Sequence, residues 1–144
     1  MFTFRELGEL GQGDFAFEVE ADSFSALLSG AGTATTSAMI DLETLEPSQS
    51  VSFEVSEENN EALLFEFLDE ILYQKDAKYM LFKTFDVEIL SQDGMKQAKC
   101  VASGEKINPE KHVLKTDVKA ITMHELVVEQ RDEHTWYCQV IIDL

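Results

Sequence analysis

Apolar and polar positions alternate along "DFAFEVEA", residues 14–21, with Phe15, Phe17, Val19 and Ala21 on one side and Asp14, Ala16, Glu18 and Glu20 on the other. A period of two predicts a strand with one buried and one wet face; it is the first strand predicted, and Asp14 opens it. The period then changes. Phe24, Leu27, Leu28, Ala31, Ala34 and Ala38 recur at helical spacing behind Ser23, whose hydroxyl suits an N-cap. Gly30 and Gly32 each cost such a helix about 1 kcal/mol relative to Ala. Its stability must therefore come from packing, and its small residues predict close approach to a neighbour.

Alternation returns in "QSVSFEVSE", where Val51, Phe53 and Val55 share a face. It gives way to a second helical stripe of Leu63, Leu64, Phe67, Leu68, Ile71 and Leu72, capped by Asn59 or Asn60. Glu61 in its first turn and Lys75 in its last complement the helix dipole. The remainder predicts strands over roughly 79–90, 95–104, 118–129 and 134–143, with a hairpin turn at "SQDG", residues 91–94. "GEKINPEKHVLKT", residues 104–116, is the one long irregular stretch, and long loops in compact domains tend to be functional. The order predicts an α+β fold with two helices packed on largely antiparallel sheet, in one domain over residues 1–144.

Charge sharpens this picture. The formal net charge is −17. Residues 1–70 hold sixteen acids and one base, Arg5, for a net −15, whereas residues 96–119 hold six lysines against Glu105, Glu110 and Asp117, for a net +3. So negative a surface repels a phosphate backbone, because nucleic-acid affinity comes chiefly from neutralising phosphates. Direct nucleic-acid binding is not expected, and any role in RNA metabolism should run through a protein partner. The start, "MFTFRELGEL", has neither a basic leader nor a long apolar core, and no apolar run approaches the ~20 residues of a membrane span. A cytoplasmic protein without membrane contact is expected. Cys100 and Cys138 stand alone without a CxxC partner, which predicts two small buried residues rather than a zinc site or disulfide.

No GxSxG, P-loop, HExxH or GxGxxG motif is present. His112, His124 and His134 lie at no metal-ligand spacing and are expected in solvent-facing or loop positions; Tyr73, Trp136 and Tyr137 are expected in the core or at its edge. Two acids are placed unusually. Asp14 opens the first predicted strand, and Asp143 closes the last, beside the carboxylate of Leu144. If those strands are antiparallel neighbours, the beginning of one lies beside the end of the other and the three carboxylates converge. Such a cluster repels itself unless protonated or bridged, and oxygen-only donors suit a hard cation such as Ca²⁺ or Mg²⁺. The competing reading is solvated strand ends.

Three blocks carry a resemblance. "ALLFEFLDEILYQKDAKYMLFKTFDVEI", "GEKINPEKHVLKTDVKAITMHELVVE" and the terminal "VIIDL" are similar, in order, to blocks of the archease family. Together with the first strand they span essentially the whole chain. The resemblance implies an α+β fold of strand-helix-strand-strand modules. It also implies an accessory protein, not itself an enzyme, that activates an RtcB-type RNA ligase in tRNA splicing or RNA repair by promoting its guanylylation and repeated turnover. The family's metal site, carried over by position, falls on Asp14, Asp143 and Leu144, with calcium as the first choice of divalent cation and magnesium or manganese as alternatives. One departure is plain: the family's H-T-A-D reads Gly11-Gln12-Gly13-Asp14 here. The basic loop, chiefly Lys111, His112, Lys115 and Lys119, is expected to contact the ligase, and a monomer is expected. A small metal-dependent hydrolase and a general chaperone-like binding module are the alternative readings.

Overall fold

The computed structural model of the chain describes residues 1–11 and 13–144, with the side chains of residues 9–11 outside that description. Among these residues, eight strands and two α-helices follow in the order β1 (Phe2–Gly11), β2 (Asp14–Ala21), α1 (Phe24–Met39), β3 (Gln49–Glu57), α2 (Asn60–Lys78), β4 (Met80–Gln92), β5 (Met95–Lys106), β6 (Ala120–Ile121), β7 (Val127–Asp132) and β8 (Thr135–Asp143), with a short 3-10 turn at Leu42–Thr44. One sheet runs β1-β2-β8-β6, with β7 also on β8, and the other runs β3-β5-β4. Every pairing is antiparallel.

Both helices are shared between the sheets. α1 touches β1, β2 and β8 of the first sheet and β4 of the second, while α2 touches β3, β4 and β5 as well as β6 and β7. The glycines of α1 explain its fit. A methyl group at Gly30 would lie 2.6 Å from Val19 Cγ1 and 2.8 Å from the Phe2 ring, and one at Gly32 would lie 2.8 Å from the Phe85 ring. The helix therefore wedges between the sheets on faces that carry no side chain at those two points. A single core results, in which Phe17 and Val19, Leu27 and Leu28, Phe67 and Ile71, and Phe82 are among the fully buried groups.

The helix ends match their chemistry. Ser23 Oγ accepts from Ala26 N–H at 3.1 Å and Asn59 Oδ1 from Ala62 N–H at 2.8 Å, each satisfying a donor that the first turn leaves free. α2 stops at Tyr79, in the left-handed region at φ 56°, with its N–H turned back to the Gln74 and Lys75 carbonyls. The β4–β5 hairpin turns on Asp93 and Gly94, both at positive φ, as a two-residue primed turn requires.

Three expectations need correction. An additional strand, β1, precedes the predicted first one, so Asp14 opens β2. Register shifts between Glu6 and Gly8 and between Glu9 and Gly11 break the alternation that would have announced it. The predicted strand over 118–129 is two short strands, interrupted around Glu125, which sits at φ 52°. Both parts pair with β8, at its opposite ends. Tyr73 is 54 % exposed rather than in the core. Trp136 stacks on Phe24 with ring centroids 4.9 Å apart, and Cys100 and Cys138 are buried free thiols, as expected. Burial pushes both thiols up to about 12. No helix among the described residues is long and apolar enough to cross a membrane.

Candidate metal centre

β2 and β8 are neighbours in the register that the end-on convergence requires: Asp14 lies opposite Asp143. Directly opposed residues of an antiparallel pair project to the same face, so the two carboxylates share a side of the sheet. The ladder continues one step beyond β8, because Leu144 N–H donates to Gly13 O at 2.7 Å. Gly13 itself is at φ 88°, and a Cβ built there would sit 3.8 Å from Leu144 O and 3.9 Å from Asp143 Oδ1. A Leu144 oxygen and the Asp143 carboxylate thus border one small space above a residue without a side chain. Among the described residues no three Asp, Glu, His or Cys side chains group as metal ligands. The acid end offers two carboxylate side chains, and a Leu144 oxygen could serve as a third donor. All three donors are hard oxygens, which fits Ca²⁺ or Mg²⁺ and disfavours softer metals. Gln12, within the stretch that departs from H-T-A-D, lies outside the described residues.

The basic loop reaches this end. Lys119 N–H donates to Asp143 O at 2.7 Å, and Ala120 is the register partner of Asp143 on the side away from Asp14. Asp143 is therefore flanked by β2 on one side and by the exit of the loop on the other, a juxtaposition that the linear sequence does not reveal.

Within the loop, the structure separates the four residues expected at a partner surface. Lys111, Lys115 and Lys119 are exposed, whereas His112 is buried. His112 stands in the loop, one of the two positions expected for it, but is buried rather than facing solvent. Its Nδ1 accepts from Asn108 N–H at 2.9 Å, which leaves the proton on Nε2, 2.8 Å from Glu105 Oε1. Glu105 also accepts from Glu46 N–H at 3.0 Å and from Lys111 Nζ at 2.9 Å. These contacts, His112 first, hold the Glu105 carboxyl down at about 2. His112 is thus a pin for the loop, and Lys111 is partly committed to the same knot.

Lys115 has a structural duty as well. Its Nζ donates to Ser37 O at 3.1 Å, placing a cation at the C-terminal end of α1, which has no basic residue in its own last turn. The Lys115 and Thr116 N–H groups donate to the Met39 and Ala38 carbonyls, which the helix cannot satisfy internally. Reversing charge at Lys115 would therefore disturb a helix end. Lys119 is the cleaner probe: it is exposed, and its ammonium has no ion-pair partner among the described residues.

A cavity of about 530 Å³ lies elsewhere, on the second sheet between Glu54, Asp86, Glu88, Lys99 and Val101. Cys100 also lines it, and its thiol, which burial pushes up to about 12, is poorly suited to act as a nucleophile.

Fold and acid end together define a small α+β protein whose last strand ends with Asp143 opposite Asp14, beside a basic loop. The family model described as "Archease protein family (MTH1598/TM1083)" matches residues 4–144. The protein archease of Methanopyrus kandleri is 34% identical over 131 residues, covering 91% of this chain and 93% of that one. The protein archease of Pyrococcus furiosus is 36% identical over 106 residues, covering 74% and 75%. The solution structure of Methanobacterium thermoautotrophicum protein 1598 superposes with a TM-score of 0.83 at 28% identity, over 99% of this chain and 98% of that one. The chain belongs to the archease family.

Proposed function

We propose that this chain is an accessory protein, not a catalyst, that activates an RtcB-type RNA ligase by promoting its guanylylation and repeated turnover. In this reading it holds a divalent cation, calcium first, between Asp14, Asp143 and the Leu144 carboxyl, and engages the ligase through the basic loop. Family membership supports the partner. The observation that carries the rest is the position of Asp143, opposite Asp14 and hydrogen-bonded through its carbonyl to Lys119. Cation and contact surface then meet at one residue. With a net charge of −17 the protein reaches RNA through its partner. The cation supplies a fixed positive charge between carboxylates that would otherwise repel. Asp14 and Asp143 would hold it from adjacent strands, with the Leu144 carboxyl beside them.

Calorimetric titration with Ca²⁺ tests the site. Asp14→Asn should weaken binding tenfold or more, because one of a small set of charged donors is lost; indistinguishable isotherms for the two proteins would remove the site. The partner is tested separately, by multiple-turnover ligation with the cognate ligase. Lys119→Glu should cut the stimulation by slowing association, most strongly at low salt. Its melting temperature should stay unchanged, since exposed substitutions generally shift stability by less than about 0.5 kcal/mol. Equal stimulation at every salt concentration would make Lys119 a bystander.

A further inference from the structure

Lys75, in the last turn of α2, is an unusual lysine: its side chain is only 7 % exposed. Its ammonium has three protons and meets three acceptors, Asp117 Oδ1 at 2.7 Å, Val118 O at 2.7 Å and Asp76 Oδ1 at 2.8 Å. Burial pulls its pKa down, but the hydrogen bonds to Asp117 and Asp76 outweigh it, and the group ends above its ordinary value. A cation this well satisfied costs side-chain entropy and desolvation. What it grips matters for the acid end.

The Val118 carbonyl and the Lys119 N–H are the two ends of one peptide group. Lys75 holds the oxygen, and the hydrogen is donated to Asp143 O at 2.7 Å. A peptide group is planar and stiff, so fixing one end fixes the direction of the other. Charge on the donor to its oxygen also polarises the group and strengthens the bond that its N–H makes. One rigid unit therefore connects the ammonium of α2 to the backbone of a residue whose carboxylate faces Asp14. Val118 is itself fully buried, which leaves that unit little room to tilt.

We propose that Lys75 is a positioning residue for the carboxylate cluster, acting through the Val118–Lys119 peptide to set the backbone of Asp143. This inference rests on the reading of Asp14, Asp143 and Leu144 as a cation site, and it concerns a residue outside that donor set. It has a distinctive sign. Removing a nearby positive charge should, by electrostatics alone, tighten binding of another cation, whereas removing a positioning group should weaken it.

The test uses the full chain with Lys75→Met, Lys75→Arg and Lys78→Met, the last removing an exposed cation from the same turn. Ca²⁺ affinity is measured by calorimetry below the melting temperature of each protein, and hydrogen exchange at the Lys119 amide by NMR. Lys75→Met should bind Ca²⁺ about 10-fold more weakly or worse, the range seen when groups that orient metal ligands are lost. Its Lys119 amide should exchange faster. Lys75→Arg should recover part of both, and Lys78→Met should leave both unchanged. If Lys75→Met does not fold, Asp117→Ala replaces it. That variant removes an acceptor 67 % exposed and should move both readouts the same way, by less. A folded Lys75→Met with wild-type or tighter Ca²⁺ affinity overturns the proposal. Failure of the wild type to bind Ca²⁺ overturns the site reading instead, and the exchange measurement still decides Lys75: unchanged protection at Lys119 would end the positioning role.

Discussion

Glu105→Gln is expected to lower the melting temperature at pH 7 by about 10 °C, corresponding to roughly 2–4 kcal/mol for breaking a buried, charge-assisted knot in a chain of this size. The substitution keeps the shape of the side chain and removes its charge. The Gln carbonyl could still accept from Glu46 N–H and His112 Nε2, but the amide nitrogen would then face Lys111 Nζ, donor against donor. The pH dependence identifies the cause. Hydrogen bonding from His112 first, then from the Glu46 N–H and Lys111, lowers the Glu105 carboxyl from 4.5 to about 2. A depressed acid contributes its stabilisation above the unfolded value and loses it as pH falls through the folded one. The gap between wild type and Glu105→Gln should therefore be constant from neutral pH to about 5, narrow below 4.5, and close near 2. Thermal melts across that range decide the matter. A gap that persists unchanged at pH 2 would assign the loss to packing rather than to the charge.

The same knot shows where sequence stops being informative. The helices, the β4–β5 hairpin and the strands β2, β3 and β8 were legible because each depends on a local period, cap or turn residue. The meeting of Asp14 with Asp143 was legible too, since it needed only that two strands with recognisable ends be antiparallel neighbours. β1 was not, because its two register shifts break the alternation after only five residues. The burial of His112 was not legible, for a different reason. Nothing within a few residues of a histidine announces that a glutamate seven positions earlier, on a strand, will bury with it. The loop looked like a solvated basic stretch, whereas three of its contacts are structural: His112 on Glu105, Lys115 on the end of α1, and the Val118 carbonyl on Lys75. Two of them join groups 78 and 43 positions apart in the chain, and tertiary pairing of polar groups leaves no periodic trace. The resemblance to the family named the acid residues but could not show that the loop ends on one of them.

Glycines divide along the same line, and the division yields the largest expected effect. In α1, Gly30 and Gly32 announced a close approach from sequence, because glycine in a helix interior needs a reason. Their added methyl groups would meet the side chains of Val19, Phe2 and Phe85, which can shift a little. The helix would also gain roughly 1 kcal/mol of propensity from each Ala. Gly30→Ala and Gly32→Ala should therefore be destabilised but folded. Gly104 gave no such signal, since glycine near the end of a predicted strand is unremarked. It sits opposite Phe82, where β4 shifts register between Phe82 and Thr84. A Cβ there would collide with the Leu81 carbonyl oxygen, with Phe82 Cα at 2.6 Å behind it. Those are backbone atoms of a paired strand, so relief requires β4 and β5 to part at the bulge. Parting them would also displace Glu105, the next residue, from the knot that pins the loop. Gly104→Ala is expected to cost more than about 4 kcal/mol, the range reserved for strain and broken buried networks, and to leave little folded protein at 37 °C. Chemical denaturation of the three alanine variants gives the order directly. A Gly104→Ala protein as stable as Gly30→Ala would mean that the bulge opens at little cost, and that loop and acid end do not depend on the close contact of β4 with β5.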